Sequence, residues 1–155
     1  MASRTKALRL GAPTRKTVRF RKTGESLGLS INTIPELIRE VSHGFSYQTL
    51  VALETTSGVS VPALAQTIGI PERTLARRRA AGRLAPEESE RLLRLSSIFE
   101  KAVELFEGNV SSAVNWLTMP KRALENQTPL QYAKTEVGAR QVENLIGRLE
   151  HGVFS

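Results

Sequence analysis

The residues best suited to chemistry in this chain lie in one segment, LAQTIGIPERTLARRRAAGRL, running from Leu64 to Leu84 and carrying Arg73, Arg77, Arg78, Arg79 and Arg83. A guanidinium fork pairs bidentately with the edge of guanine and also grips phosphate oxygens, so clustered arginines on one helix suit nucleic acid. On a helix opening near Pro71, the residues Glu72, Arg73, Ala76 and Arg77 take the positions that face base edges, with Thr74 beside them. Arg79 and Arg83 are placed to meet phosphates, and Arg78 is grouped with this DNA-facing set although its position normally holds a buried aliphatic residue. The plain alternative is a basic helix turned toward water.

Catalytic material is scarce. The sequence has no Cys and no Asp, and its two histidines, His43 and His151, are far apart. No HExxH, GxSxG or P-loop spacing occurs. The expectation is no enzyme, no metal site, no cofactor and no small-molecule substrate. The lack of cysteine excludes a disulfide framework. No apolar run approaches the ~18 residues of a membrane span, and the basic N-terminus lacks the apolar core of a secretory signal, so a cytoplasmic protein without membrane contact is expected.

Charge divides the chain. Residues 1–95 carry 16 Lys/Arg against 8 Glu, whereas residues 96–155 carry 6 against 7. Such asymmetry suits a polyanion-binding part joined to a part with another task, or a basic portion kept for solubility. Residues 1–22 alone hold eight Lys/Arg and no acid, and Gly11 and Pro13 interrupt any helix there. This reads as a mobile tail or as an arm lying along phosphates. Within it TVRFR (Thr17–Arg21) alternates like a short strand, which would need a partner.

The elements that must position the arginines are helical. TIPELIREVS (Thr33–Ser42) places Pro35 in a first turn and Ile34, Leu37, Ile38 and Val41 on one face, and Gly44 ends it. Ser46 caps a second helix, with Phe45 stapled to Leu50, that stops near Gly58. Val61–Ile68 and a helix from Pro71 to about Ala80 flank Gly69, the arrangement of a helix-turn-helix. Ala65 marks the crossing of the two helices, Gly69 calls for positive φ, and Leu75 packs back between them. A small helical hairpin with a solvated basic face is the alternative. A long helix from Pro86 to about Glu107 repeats Leu92, Leu95, Phe99, Ala102 and Phe106 and spans the charge boundary. Val110–Thr118, Thr128–Lys134 and Ala139–His151 follow. The fold class is all-α: an N-terminal helix-turn-helix domain joined by a long helix to a small C-terminal helical domain. The divisions are residues 1–30 (basic arm), 31–95 and 96–155.

The C-terminal motifs add a resemblance. Phe106-x-Gly108, Ala113-x-x-Trp116-Leu117, Pro120-x-x-Ala123-Leu124, Thr128-Pro129-Leu130, Thr135-x-x-Gly138 and Leu149-Glu150-His151-Gly152-Val153 occur in that order over the last sixty or so residues. This run resembles the Xre/MbcA/ParS family of bacterial antitoxins, and Arg73-Thr74-Leu75-x-Arg77-Arg78 looks like that family's helix-turn-helix. The resemblance implies an antitoxin of a type II toxin–antitoxin system. Its N-terminal part would bind operator DNA and repress its own operon. Its C-terminal part would block the active site of a toxin, usually a RES-domain protein that consumes or transfers ADP-ribose from NAD. The NAD chemistry would belong to that partner.

Trp116, Pro120, Leu124, Gly152, Val153, Phe154 and Ser155 are the candidate toxin-binding residues. Trp116 is also explained as core. The apolar tail Val153–Phe154, with the carboxylate beyond it, either enters a cleft of the toxin or folds back on its own chain. A homodimer is expected because one helix-turn-helix binds DNA weakly, with the long helix or the C-terminal helices as the interface. The competing function is a stand-alone dimeric helix-turn-helix transcriptional regulator without a toxin. An RNA-binding protein is a weaker alternative, since the five phenylalanines form no stacking motif.

Overall fold

The computed structural model describes residues 17–152. Among these described residues eight helices follow in order: α1 (Ile34–His43), α2 (Gln48–Ser57), α3 (Val61–Thr67), α4 (Glu72–Ala81), α5 (Pro86–Leu105), α6 (Val110–Thr118), α7 (Pro129–Tyr132) and α8 (Glu136–Glu150). Single 3₁₀ turns lie at Glu25–Leu27 and Arg122–Leu124. Among the described residues there is no strand, only the isolated bridges Ser46–Arg83 and Lys121–Gln127. The all-α expectation stands.

Local chemistry sets most helix starts. Thr33 and Glu36 form a reciprocal capping box at α1, with Pro35 in the first turn. Ser60, Asn109 and Thr128 cap α3, α6 and α7 with their side-chain oxygens. α2 opens at Gln48 with Tyr47 rather than the expected Ser46 as its N-cap, and the Ser46 hydroxyl accepts from the Gln48 N–H at 3.2 Å from one residue further back. The last helix starts three residues before the expected Ala139, because Thr135 accepts from the Gly138 N–H and opens it at Glu136. Gly138 is required there: a Cβ at this position would collide with the Tyr132 carbonyl.

Everything is organised on α5. Leu92, Leu95, Ile98, Phe99, Ala102 and Val103 are buried along its length. α1 and the turn around Glu25–Leu27 pack against it, as do α6 and α8, and Lys101 pairs with Glu143 of α8 at 3.2 Å. One continuous apolar core runs from Leu27 to Ile146. The apolar face of α5, expected as one possible dimer interface, is therefore covered within the chain.

The N-terminal region differs from its sequence reading. Residues 1–16 of the expected arm lie outside the described residues. Residues 17–29, read as the rest of that arm, lie on α5 instead. TVRFR does alternate exposed and half-buried side chains, but no strand pairs with it. The Val18 N–H donates to the Gly108 carbonyl at 2.9 Å, and the Phe20 ring rests 5.8 Å from that of Phe99, tilted by 57°. Leu27 is buried.

The anchor of this segment is Glu100. Its Oε1 accepts from the Ser26 N–H at 2.9 Å and the Ser26 hydroxyl at 2.7 Å, and Oε2 accepts from the Gly24 N–H at 3.4 Å. Burial raises the carboxyl pKa above its ordinary value, and the hydrogen bonds from Ser26 and Gly24 offset this only in part. A folded pKa above the unfolded one gives a contribution that is full below the unfolded pKa and declines as pH rises through the folded pKa. Glu100→Ala is expected to cost about 2 kcal/mol by urea unfolding at neutral pH, because three donors lose their acceptor. Glu100→Gln keeps an acceptor without charge and is expected to stay within about 1 kcal/mol of wild type. The stability of wild type relative to Glu100→Gln should fall as pH rises above the ordinary carboxylate range, and a flat difference would contradict the assignment.

Candidate functional site

α3 and α4 make the expected angle around Gly69, whose φ of +75° is the left-handed conformation that glycine adopts freely. The Ile70 N–H closes the turn on the Ala65 carbonyl at 2.8 Å. Ala65, Leu64, Ile68 and Ile70 are buried beneath it, and Leu75 is half-buried against them. α4 itself contains no buried residue. Its outer surface is thus available along the whole helix, and an open groove lined by Tyr47, Val51, Val61, Ile70 and Leu75 separates it from α2.

The five arginines do not share one role. Arg78 Nε donates to Glu88 Oε1 at 2.7 Å, and Glu88 is buried. The same carboxylate oxygen accepts from the Ala85 N–H at 2.8 Å. A guanidinium occupies a position where an aliphatic residue is usual because the α5 terminus supplies a buried carboxylate instead of an apolar wall. Arg83 Nη1 donates to the Gly44 carbonyl at 2.9 Å and to the His43 carbonyl at 3.3 Å. Beside it, the Tyr47 N–H donates to the Gly82 carbonyl and the Leu84 N–H to the Phe45 carbonyl. Arg78 and Arg83, read in sequence as DNA-facing, make these contacts at the end of α4, and Arg83 remains an exposed residue while doing so. Arg73, Arg77, Arg79, Glu72 and Ala76 are exposed, and Thr74 is half-buried. Among the described residues, the side-chain bond on this surface runs from Arg77 to the Thr74 hydroxyl at 3.4 Å.

The C-terminal candidates also divide. Leu124 is 2% exposed and fills the core beneath the turn that follows α6, so it presents no surface. Trp116 is half-buried, with the Lys121 ammonium 5.2 Å from the centre of its ring. Partial burial lowers the Lys121 pKa. Pro120 is exposed, and Met119 beside it is 50% exposed. Sequence reading passed over Met119, as it did Val137 on α8, which is 72% exposed. The signal for both was an apolar residue in a polar register. Gly152 is exposed at the end of α8, and Val153, Phe154 and Ser155 lie outside the described residues.

With this geometry, residues 36–97 match the family model of the antitoxin Xre-like helix-turn-helix domain, and residues 101–152 match that of the antitoxin Xre/MbcA/ParS C-terminal toxin-binding domain. The chain belongs to the Xre antitoxin family. It is 38% identical over 130 residues to Antitoxin Xre of Yersinia enterocolitica, covering 83% of this chain and 88% of that one. It is 30% identical over 149 residues to Antitoxin Xre of Photorhabdus laumondii, covering 96% and 100%. A third relative, Antitoxin Xre of Pseudomonas putida, is 35% identical over 126 residues, or 77% of each chain. The two family domains meet within α5, so one helix belongs to both. Residues 17–35 precede both family matches, yet they are packed on the same helix.

The division among the arginines is testable. Arg78→Ala leaves the Glu88 carboxylate buried with only a backbone donor, and it is expected to cost about 1–3 kcal/mol in chemical unfolding. Arg73→Ala and Arg79→Ala, on the open surface, are expected to change stability by less than about 0.5 kcal/mol. Equal losses in all three would show that Arg78 is not a tether.

Proposed function

We propose that this protein is the antitoxin of a type II toxin–antitoxin pair whose toxin is a RES-domain enzyme acting on NAD, and that it represses its own operon. The observation that carries the reading is the pairing, on one helix, of an Xre-like helix-turn-helix with exposed arginines and a unit that matches the family's toxin-binding domain. Arg73 and Arg77 read base edges, and Arg79 meets phosphate. Arg78 and Arg83 support them indirectly by fixing the pose of α4. On the other unit, Trp116, Met119 and Pro120 supply an apolar contact, and the segment Val153–Ser155 that follows α8 enters the toxin's cleft and excludes NAD. The chain itself performs no catalysis.

A two-fold dimer reads the operator. Its interface is the exposed side of α1, where Ile34 is 68% exposed and Ile38 60% exposed on the face that also carries Leu37 and Val41. Two aliphatic side chains open to water on one short helix favour burial against another copy, and Glu36, Arg39 and Glu40 border them with both signs of charge. Ile38→Glu is expected to turn the dimer into a monomer by light scattering and to weaken operator binding at least tenfold. A wild-type monomer, or an unaltered dimer in the variant, would remove this interface.

The reading as a whole is tested by purification from the host with an N-terminal tag and mass spectrometry of what accompanies the chain. A stoichiometric RES-type protein supports it. A bound promoter fragment without any protein partner would replace it with a stand-alone regulator. Given the partner, removal of Val153–Ser155 is expected to abolish protection against the toxin while leaving the unfolding midpoint unchanged. Full protection by the shortened chain would exclude the tail as the blocking element.

A further inference from the structure

A narrow cleft lies where the helix-turn-helix meets the C-terminal unit. Thr67 and Ile68 close it from the end of α3, Arg91, Arg94 and Leu95 from α5, and Leu130, Ala133 and Lys134 from α7 and the residues after it. Three cations thus converge from two elements. The ion pairs among the described residues are Arg78–Glu88, Lys101–Glu143 and Arg140–Glu136, and none of them engages Arg91, Arg94 or Lys134. The Nε of Arg91 is sealed from solvent and has no acceptor among the described residues. Unbalanced positive charge is therefore concentrated at this seam, and an anion seated between the three cations would relieve it. The space is about 10 Å³, which admits a single oxygen-sized group and no base or sugar.

We infer that this cleft grips one backbone phosphate of DNA bound by α3 and α4. The inference rests on the DNA-binding part of the proposed function. In a helix-turn-helix the first helix crosses the DNA backbone, and here the last residues of that first helix, Thr67 and Ile68, form one wall of the cleft. The chain continues from this wall through Gly69 directly into α4. The half-buried Arg91 and Arg94 and the exposed Lys134 present positive charge to a phosphate oxygen from two elements. Lys134, which lies within the toxin-binding domain match, thereby becomes part of the DNA footprint.

The test is the salt dependence of binding of the full chain to a random-sequence DNA duplex. Each phosphate neutralised contributes about 0.9 to the slope of log K against log salt. The double variant Arg94→Gln/Lys134→Gln is expected to lower that slope by about 1, to weaken binding several-fold at moderate salt, and to melt as wild type does. Arg91→Gln is expected to lower the slope alike. Arg73→Ala/Arg77→Ala serves as the control on the recognition helix. If this control weakens binding and the cleft variants leave the slope unchanged, the cleft inference falls and the DNA-reading function stands. If wild type binds no DNA, both fall. If the cleft variants abolish stabilisation of the chain by inorganic phosphate yet leave the DNA slope intact, the site serves a free anion and the inference is overturned. Loss of toxin co-purification with an intact slope would overturn it in favour of a partner carboxylate.

Discussion

α5 has to be buried along its length, and that constraint shapes everything around it. A helix of 20 residues with one apolar stripe normally serves one layer, whereas this one serves two domains. Three of its buried polar side chains, Glu88, Ser89 and Glu100, each hold another part of the chain, while the Ser96 hydroxyl donates to the Leu93 carbonyl within the helix. Glu88 receives Arg78 and the Ala85 N–H. The Ser89 hydroxyl accepts the Phe45 N–H at 2.7 Å and donates to the Ala85 carbonyl at 2.8 Å. Glu100 receives Ser26 and Gly24. These are the end of the recognition helix, the corner between α1 and α2, and the N-terminal turn. Buried polar groups on a helix are tolerable only with partners, and here the partners are the backbone groups whose positions define the fold.

This arrangement explains how α4 keeps a fixed pose with so little apolar contact. Leu75 is its one large aliphatic residue, and it is only half-buried. A recognition helix held by core side chains loses that face to the interior. Held at its C-terminal end by Arg78, by Arg83 and by the Gly82 carbonyl, α4 leaves most of its circumference to solvent. Arginine suits both tasks, since its planar fork satisfies a buried carboxylate or two adjacent carbonyls as readily as it meets a guanine or a phosphate.

That dual competence is also why the sequence revealed some features and concealed others. Short-range signals act within a few positions of themselves, so Pro35 in the first turn of α1 and the glycine at Gly69 announced their elements directly, and the helix order could be read with small boundary shifts. The motif run after Phe106 carried the family assignment for the same reason, as spacing along a chain is preserved in the text. The division of the arginines could not be read. Whether Arg78 faces DNA or Glu88 depends on a contact ten residues away, and the fate of Arg83 depends on carbonyls forty residues upstream. Ser26 and Glu100 are 74 residues apart, so a stretch with the composition of a free basic arm gave no sign that residues 17–29 belong to the core. Leu124 reads equally well as a contact residue or as filling, and only its burial separates the two.

The uneven charge along the chain takes on physical meaning once the elements are placed. In the C-terminal unit, cations and acids offset one another within and between helices, as in Lys101–Glu143 and Arg140–Glu136. The apolar side chains that unit leaves open to water are Met119, the half-buried Trp116 and Val137. In the helix-turn-helix unit, three of the acids, Glu36, Glu54 and Glu88, are drawn into caps and tethers. Glu36 caps α1, and its carboxyl pKa is lowered by the Asn32 and Thr33 N–H groups. Glu88 is taken by Arg78. The surplus guanidinium groups are left facing outward, which suits long-range attraction of a polyanion. Attraction by charge and adhesion by apolar surface respond oppositely to salt, so placing them on separate units lets each be strong without interfering with the other. The cleft of Arg91, Arg94 and Lys134 is where that separation breaks down. There a cation of the second unit joins two of α5, so a ligand held at that seam touches both halves of the molecule at once.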